Sequence, residues 1–383
     1  MGTTASDGEL KMTVSAGIDG VGGSYDSATA GTVGLLIANA ASVRSQLDAL
    51  TRKVSSGKNA ATYGGLGSST GMALQMRTEI AHNDVWVRNI DSATGRMNVA
   101  QSALSQISAI ASSFYAQTNN LNGLNASEID SIAASARSAL RDVTAFLDSK
   151  FGDVYVFAGQ DSSQAPLPNP DAIWQSGFTT AISAAVSALG ANGAAATVAN
   201  TLSIASSNAA PLSPFSASLS QPAATLTASR PSIQVGQGQF VPVGIVASAN
   251  GDAPSAGTST TGSYIRDIMR GLATLGSLSS GQASVPGFSQ LVLDTRTSLG
   301  DAISALNVDA GALGDRQTQL SDSKATLGTV STTLQAQLSS IEDTDMATSL
   351  SELSSVQNRL QASYQLIASI QSLSLTRFLS TGG

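Results

Sequence analysis

The sequence predicts a mainly α protein in which long antiparallel coiled-coil helices from both termini flank a central Pro/Ser/Ala-rich insert of mixed or β structure. Three observations carry that expectation. Nine of the ten prolines fall between Pro166 and Pro254 and the tenth is Pro286. Residues 33–157 and 287–383 are therefore free of a residue that costs ~3 kcal/mol inside a helix. Leu299, Leu306, Leu313, Leu320, Leu327, Leu334 and Ile341 recur every seven residues, the spacing of a coiled-coil seam. Between 161 and 262 the charged residues are Asp161, Asp171, Arg230 and Asp252 alone, so the middle is a different kind of chain from its flanks.

Residues 1–32, made largely of Gly, Ser, Thr and Asp, carry no apolar period and are expected to form a flexible extension. They hold no basic-then-apolar block of the kind a cleaved secretory signal needs. Val43, Leu47, Leu50 and Val54 then mark an amphipathic helix, which stops at the glycines and hydroxyl residues of 55–71. Ile90, Met97, Leu104 and Ala111 recur at seven in a longer helix, with Ile80, Val87, Ala100, Ile107 and Phe114 filling its stripe. A third helix is expected from a cap at Ser127 through Ile132, Ala136, Leu140, Val143 and Leu147 to Gly152. "DVYVFAG" (153–159) alternates as a short strand would.

In the middle, 179–206 reads as a helix or two, and strands are expected at 224–228, 232–236 and 240–248. Beyond Ile341 a terminal helix carries Met346, Leu350, Leu353, Val356, Leu360, Tyr364, Ile367, Ile370 and Leu373 in steps of three and four. It ends in an apolar patch, Leu373, Leu375, Phe378 and Leu379.

Composition excludes several functions. Charged residues make up 12% of the chain, half the usual ~25%, and the net charge of −7 lacks the basic stripe that nucleic acid requires. There is no cysteine for a disulfide or thiolate site. No apolar run approaches the ~20 residues needed to cross a bilayer.

Catalytic, metal and cofactor motifs are weak. The lone histidine, His82, has no second histidine or cysteine to work with and reads as a helix-surface residue. "SSGKN" (55–59) and "GGLGSSTG" (64–71) lack the phosphate-loop frame, because Lys58 is followed by Asn59 and preceded by a helix. "IEDTD" (341–345) supplies three carboxylates without the alternation, central glycine and twelfth-position glutamate of a calcium loop. Glu342, Asp343 and Asp345 instead read as a joint between two helices. Asp343 or Thr344 is expected to cap the second helix, with the carboxylates facing its positive end. No catalytic, cofactor or metal residue is assigned.

These features together resemble the bacterial flagellin family. The resemblance covers roughly 33–160 and 263–379, and the run Val54 to Lys58, "RNIDSA" (88–93), the acidic joint at 341–345 and "LQAS" (360–363) carry it. It implies a structural, non-enzymatic subunit of the extracellular flagellum that polymerises through its terminal helices and is exported without a cleaved signal. Its assembly interface would be Val43, Leu47, Leu50, Val54, Leu350, Leu353, Leu360, Ile367, Ile370, Leu373, Leu375, Phe378 and Leu379. Partners would be copies of itself, other flagellin-family subunits, hook and hook-associated proteins and an export chaperone, with neither nucleic acid nor membrane.

The resemblance also implies a layout. Residues 33–70 with 341–383 would be an inner terminal-helix domain, 71–165 with 255–340 a helical core, and 166–254 a variable, solvent-facing domain. The extension at 1–32, expected to serve as an export signal, departs from the family pattern, whose members enter the first helix close to their start. "FGDVYVFAGQDSSQAP" (151–166) and the ending "ASIQSLSLTRFL" (368–379) look most like the hook–filament junction member of the family. A main filament subunit is the alternative. A cell-surface homologue binding polysaccharide through the middle domain is the second.

Overall fold

A computed structural model describes residues 26–121, 126–228, 230–252 and 254–380, with side chains described from 34 to 370 within those ranges. Residues 1–25 of the expected extension lie outside the described residues, and 26–32, expected to belong to it, are instead the first turns of a helix. The chain divides into two compact units, one comprising residues up to 77 with those from 335 onward, the other 78–334.

The first unit is built on α1 (Asp26–Ser56) and α9 (Met346–Ser380), with a 3-10 turn at Tyr63–Ser69. Two longer helices, α2 (Thr70–Gln117) and α8 (Phe288–Glu342), contribute residues to both units. α1 and α9 pack side by side. The backbone just after α1 bonds to the backbone just before α9, so the two run antiparallel. Gly57 ends α1 at φ +67°, its N–H donating to Lys53 O at 3.0 Å, the left-handed cap a glycine adopts without a Cβ penalty.

In the second unit, α2 and α8 bury one stripe each. On α2 it is Ile90, Met97, Leu104, Ile107 and Ala111; on α8 it is Leu299, Ala302, Leu306, Leu313 and Leu320. The leucine repeat keeps its spacing beyond Leu320, but Leu327 and Leu334 are only half-buried. Around the stripes lie α3 (Ala126–Leu147), α4 (Gly177–Ser187), α5 (Leu189–Ser206) and α6 (Ala223–Ala228). Two antiparallel hairpins pair β1 (Lys150–Phe151) with β2 (Val154–Tyr155) and β3 (Ser232–Gly236) with β4 (Gln239–Pro242).

Central to this unit is α7 (Tyr264–Gly276), every residue of which is buried, with α3, α4 and α5 packed against it. The middle of the chain feeds the same core through Leu167, Phe178, Ile182, Leu219, Val241 and Ile245.

Several local expectations are corrected. "ATLTA" (224–228) is the helix α6 and not a strand. Pro222 precedes it, and Pro222 O accepts Thr225 N at 3.0 Å and Leu226 N at 3.2 Å, as a proline at a helix start permits. Of 240–248 only the first residues pair in β4; the rest is buried irregular chain. β2 is shorter than 153–159, and α3 ends at Leu147 and not at Gly152. The two-helix reading of 179–206 matches α4 and α5, with the break inside α5 at Gly193, φ +76°.

Candidate functional site

The three carboxylates of "IEDTD" are where both ends of the chain meet within the first unit. Glu342, the last residue of α8, receives a two-pronged bond from the Arg77 guanidinium: Nε to Oε1 at 2.8 Å and Nη2 to Oε2 at 2.6 Å. Lys58 Nζ lies 2.5 Å from Asp343 Oδ1 and 3.7 Å from Glu342 Oε2. Asn59 spans the gap with its amide, donating to Ile341 O at 2.9 Å and Asp343 O at 2.8 Å. Backbone bonds close the joint: Asn59 N to Glu342 O at 2.7 Å and Thr344 N to Gly57 O at 3.0 Å.

Asp345 does the capping. Its Oδ1 accepts Ala347 N at 2.9 Å and Thr348 N at 3.1 Å, and its Oδ2 takes the Thr348 hydroxyl at 3.0 Å. The expectation that Asp343 or Thr344 caps α9 is therefore corrected. Asp343 is drawn to Lys58 and Ser339, while Thr344 belongs to the bridge with Gly57. Nor do all three acids face the start of α9, since Glu342 and Asp343 face cations instead.

All three carboxyls are held below their ordinary range: Glu342 by the Arg77 bond, Asp343 by the Lys58 and Ser339 bonds, Asp345 by the Thr348 amide and hydroxyl. Lys58 is raised by the Asp343 bond. Arg77 also stacks over Tyr63, 5.5 Å from its centroid. These carboxylates fix one stretch of chain against another. His82 is exposed on α2, its ring 5.9 Å from that of Trp86.

The expected assembly residues divide over the α1–α9 pair. Val43 is buried and Leu47, Leu50 and Val54 are half-buried. On α9, Leu353, Leu360, Ile367 and Ile370 are half-buried on the face that also carries buried Ser349 and Val356. Leu350 is 48% exposed, and Met346 and Tyr364 share its side of the helix, about 60–100° round from that seam. Leu373, Leu375, Phe378 and Leu379 lie in the last turns of α9, and their side chains fall outside the described residues.

A family model described as the bacterial flagellin N-terminal helical region matches residues 36–162, and one described as the bacterial flagellin C-terminal helical region matches 297–379. The two span more than half the chain and contain both strands of the joint, Lys58 to Arg77 and Glu342 to Asp345. The chain belongs to the bacterial flagellin family. This flagellin is therefore a structural subunit of the extracellular flagellum, and no helix among its described residues is long and apolar enough to cross a membrane. No curated protein matches it.

The acids of the joint were legible in the sequence, whereas Arg77 and Asn59 were not. Arg77 pairs across 265 residues and Asn59 across 282, and no local period announces such partners. The glycine after "SS" was the nearest signal.

Proposed function

We propose that this flagellin polymerises through α1 and α9 and occupies the junction between hook and filament. The observation that carries polymerisation is how little the terminal helices bury alone. Within the first unit the fully buried apolar residues, among those described, are Ala40, Val43, Ala73 and Val356. Burial of a Val side chain contributes about 1.5–3 kcal/mol, whereas ordering each residue of a helix costs about 1–2 kcal/mol. The helices need neighbours. Leu35, Ile37, Leu350, Tyr364 and Leu366, each about half or more exposed, are the surface left for them. Subunits stacking through this surface would do so head to tail, the mode that propagates a filament.

In this reading 33–70 and 341–383 form the inner layer, 71–165 and 255–340 the next, and 166–254 faces solvent. Leu373, Leu375, Phe378 and Leu379 complete the inner contact, an export chaperone covers them before secretion, and hook-associated proteins are the neighbours at the junction. The junction assignment rests on the resemblance of 151–166 and of the closing "ASIQSLSLTRFL" to that member of the family.

Deleting the gene and imaging the cells tests it. Hooks without filaments, with other flagellins released into the medium, are expected. Loss or thinning of the filament alone, on cells whose remaining subunits still attach, assigns the chain to the filament and overturns the junction reading.

A further inference from the structure

Asp148 follows directly on α3, at the end where the helix presents its carbonyls. Its own N–H donates back to Thr144 O at 3.2 Å, and its side chain is half-buried there. Oδ1 accepts a single backbone donor, Leu167 N, at 2.9 Å. That bond lands on the segment by which the chain leaves the helical flank and enters the Pro-rich middle, just past the end of the N-terminal family match at 162. The segment is held at three further points, Tyr155 N to Ser162 O at 2.9 Å, Ser216 N to Pro166 O at 2.8 Å and the Thr144 hydroxyl to Pro170 O at 3.4 Å, and the Leu167 side chain is buried. Residues 161–170 thus form a strap over the end of α3, with Asp148 beneath it.

We propose that this strap is a proton-sensitive clasp, closed over a neutral Asp148 and loosened when Asp148 carries charge. A helix C-terminus is a poor place for a carboxylate, because the dipole there is negative. Covering the group removes the water that would offset this. The groups around it are few. From α3 comes Thr144, whose hydroxyl is turned to Arg141 O and Pro170 O. From the strap comes the Leu167 amide, and from β1 comes Lys150, the one charged group whose field bears on it, with its ammonium lying 4.3 Å over the Tyr155 ring. Burial outweighs both the amide and Lys150 and pushes the carboxyl up to about 6.

An Asp raised in the closed state stabilises that state fully below its open-state value near 4, and the stabilisation is lost as pH rises through about 6. The opening equilibrium of the strap is therefore expected to rise about tenfold between pH 5 and pH 8. Acid holds the base of the middle segment shut; neutral and alkaline media free it.

Hydrogen exchange of peptides covering 161–170, in the full chain and corrected for intrinsic rates, reads this directly. Protection in the wild type should fall about tenfold from pH 5 to pH 8. Asp148→Asn, which keeps an acceptor and removes the charge, should stay protected throughout, with circular dichroism confirming its fold. A pH-independent wild type, or an Asp148→Asn chain that keeps the wild-type pH slope, overturns the proposal. So does a carboxyl carbon resonance of Asp148 titrating below pH 5, which needs no variant.

Discussion

Asp345 caps α9 while Glu342 and Asp343, three and two residues earlier, hold Arg77 and Lys58. Neighbouring acids thus have separate tasks, set by which element each side chain reaches. All three are held below their usual range, so the stability they add is present above about pH 4, where the unfolded groups are ionised. It is lost as pH falls through the depressed folded values. The joint should hold at neutral pH and loosen below about pH 4, read as loss of helicity in the full chain. Glu342→Gln should weaken it already at pH 7, by about 1 kcal/mol once the half-exposure of Arg77 is discounted. Gly57→Ala meets no atom within 4 Å, so its cost is backbone strain at φ +67°, about 1–2 kcal/mol. A stability loss near zero in denaturant titration would show that the cap at Gly57 contributes nothing.

Among the elements, α7 is amphipathic by its spacing and yet buried on every side. Ile265, Ile268, Met269, Leu272 and Leu275 line one face at helical spacing, but the opposite face is buried as well, so Arg266, Asp267 and Arg270 lie inside the core. The two arginines find partners in distant segments, and Asp267 in the loop just before the helix. Arg266 reaches Ala205 O at 2.9 Å, Ser248 O at 3.0 Å and Asn208 Oδ1 at 2.6 Å, and lies 5.1 Å over the Phe215 ring. Arg270 gathers Ser259 O at 2.9 Å and the Ser298 hydroxyl at 2.6 Å. Asp267 accepts the Thr260 hydroxyl at 2.5 Å and Thr261 N at 2.8 Å. These bonds tie the middle of the chain to its core. Arg270→Met should cost about 2–3 kcal/mol, the penalty for stranding several buried acceptors. Thermal unfolding of the full chain measures it, and the helicity of α1 and α9 should not change.

For the whole molecule, the contrast between units decides behaviour. The second unit buries a continuous core from α2 to α8, whereas the first relies on a few residues along two long helices. Removing 346–383 should leave a folded, soluble monomer that no longer polymerises, checked by sedimentation after seeding. Polymers from that truncation would refute the assembly role given to α9. Leu350→Glu, placed outside the α1–α9 seam, should leave monomer stability within about 0.5 kcal/mol while reducing polymerisation.

The sequence by itself determined the mainly α class, the helices of both flanks, the Pro-rich interruption and the place of the acidic joint. Each of these is a local or periodic property, in which proline excludes helix, seven-residue spacing makes a seam, and clustered acids mark a helix boundary. Tertiary structure alone decided that "ATLTA" folds as a helix, that α7 lies at the centre, and which acid caps and which pairs. It also decided which apolar residues of α9 face α1. Leu350 and Leu353 are equally hydrophobic and three residues apart, yet one is about half exposed and the other faces the seam. Those outcomes depend on partners up to 285 residues away, such as Lys58 for Asp343, and such distance leaves no mark on local sequence.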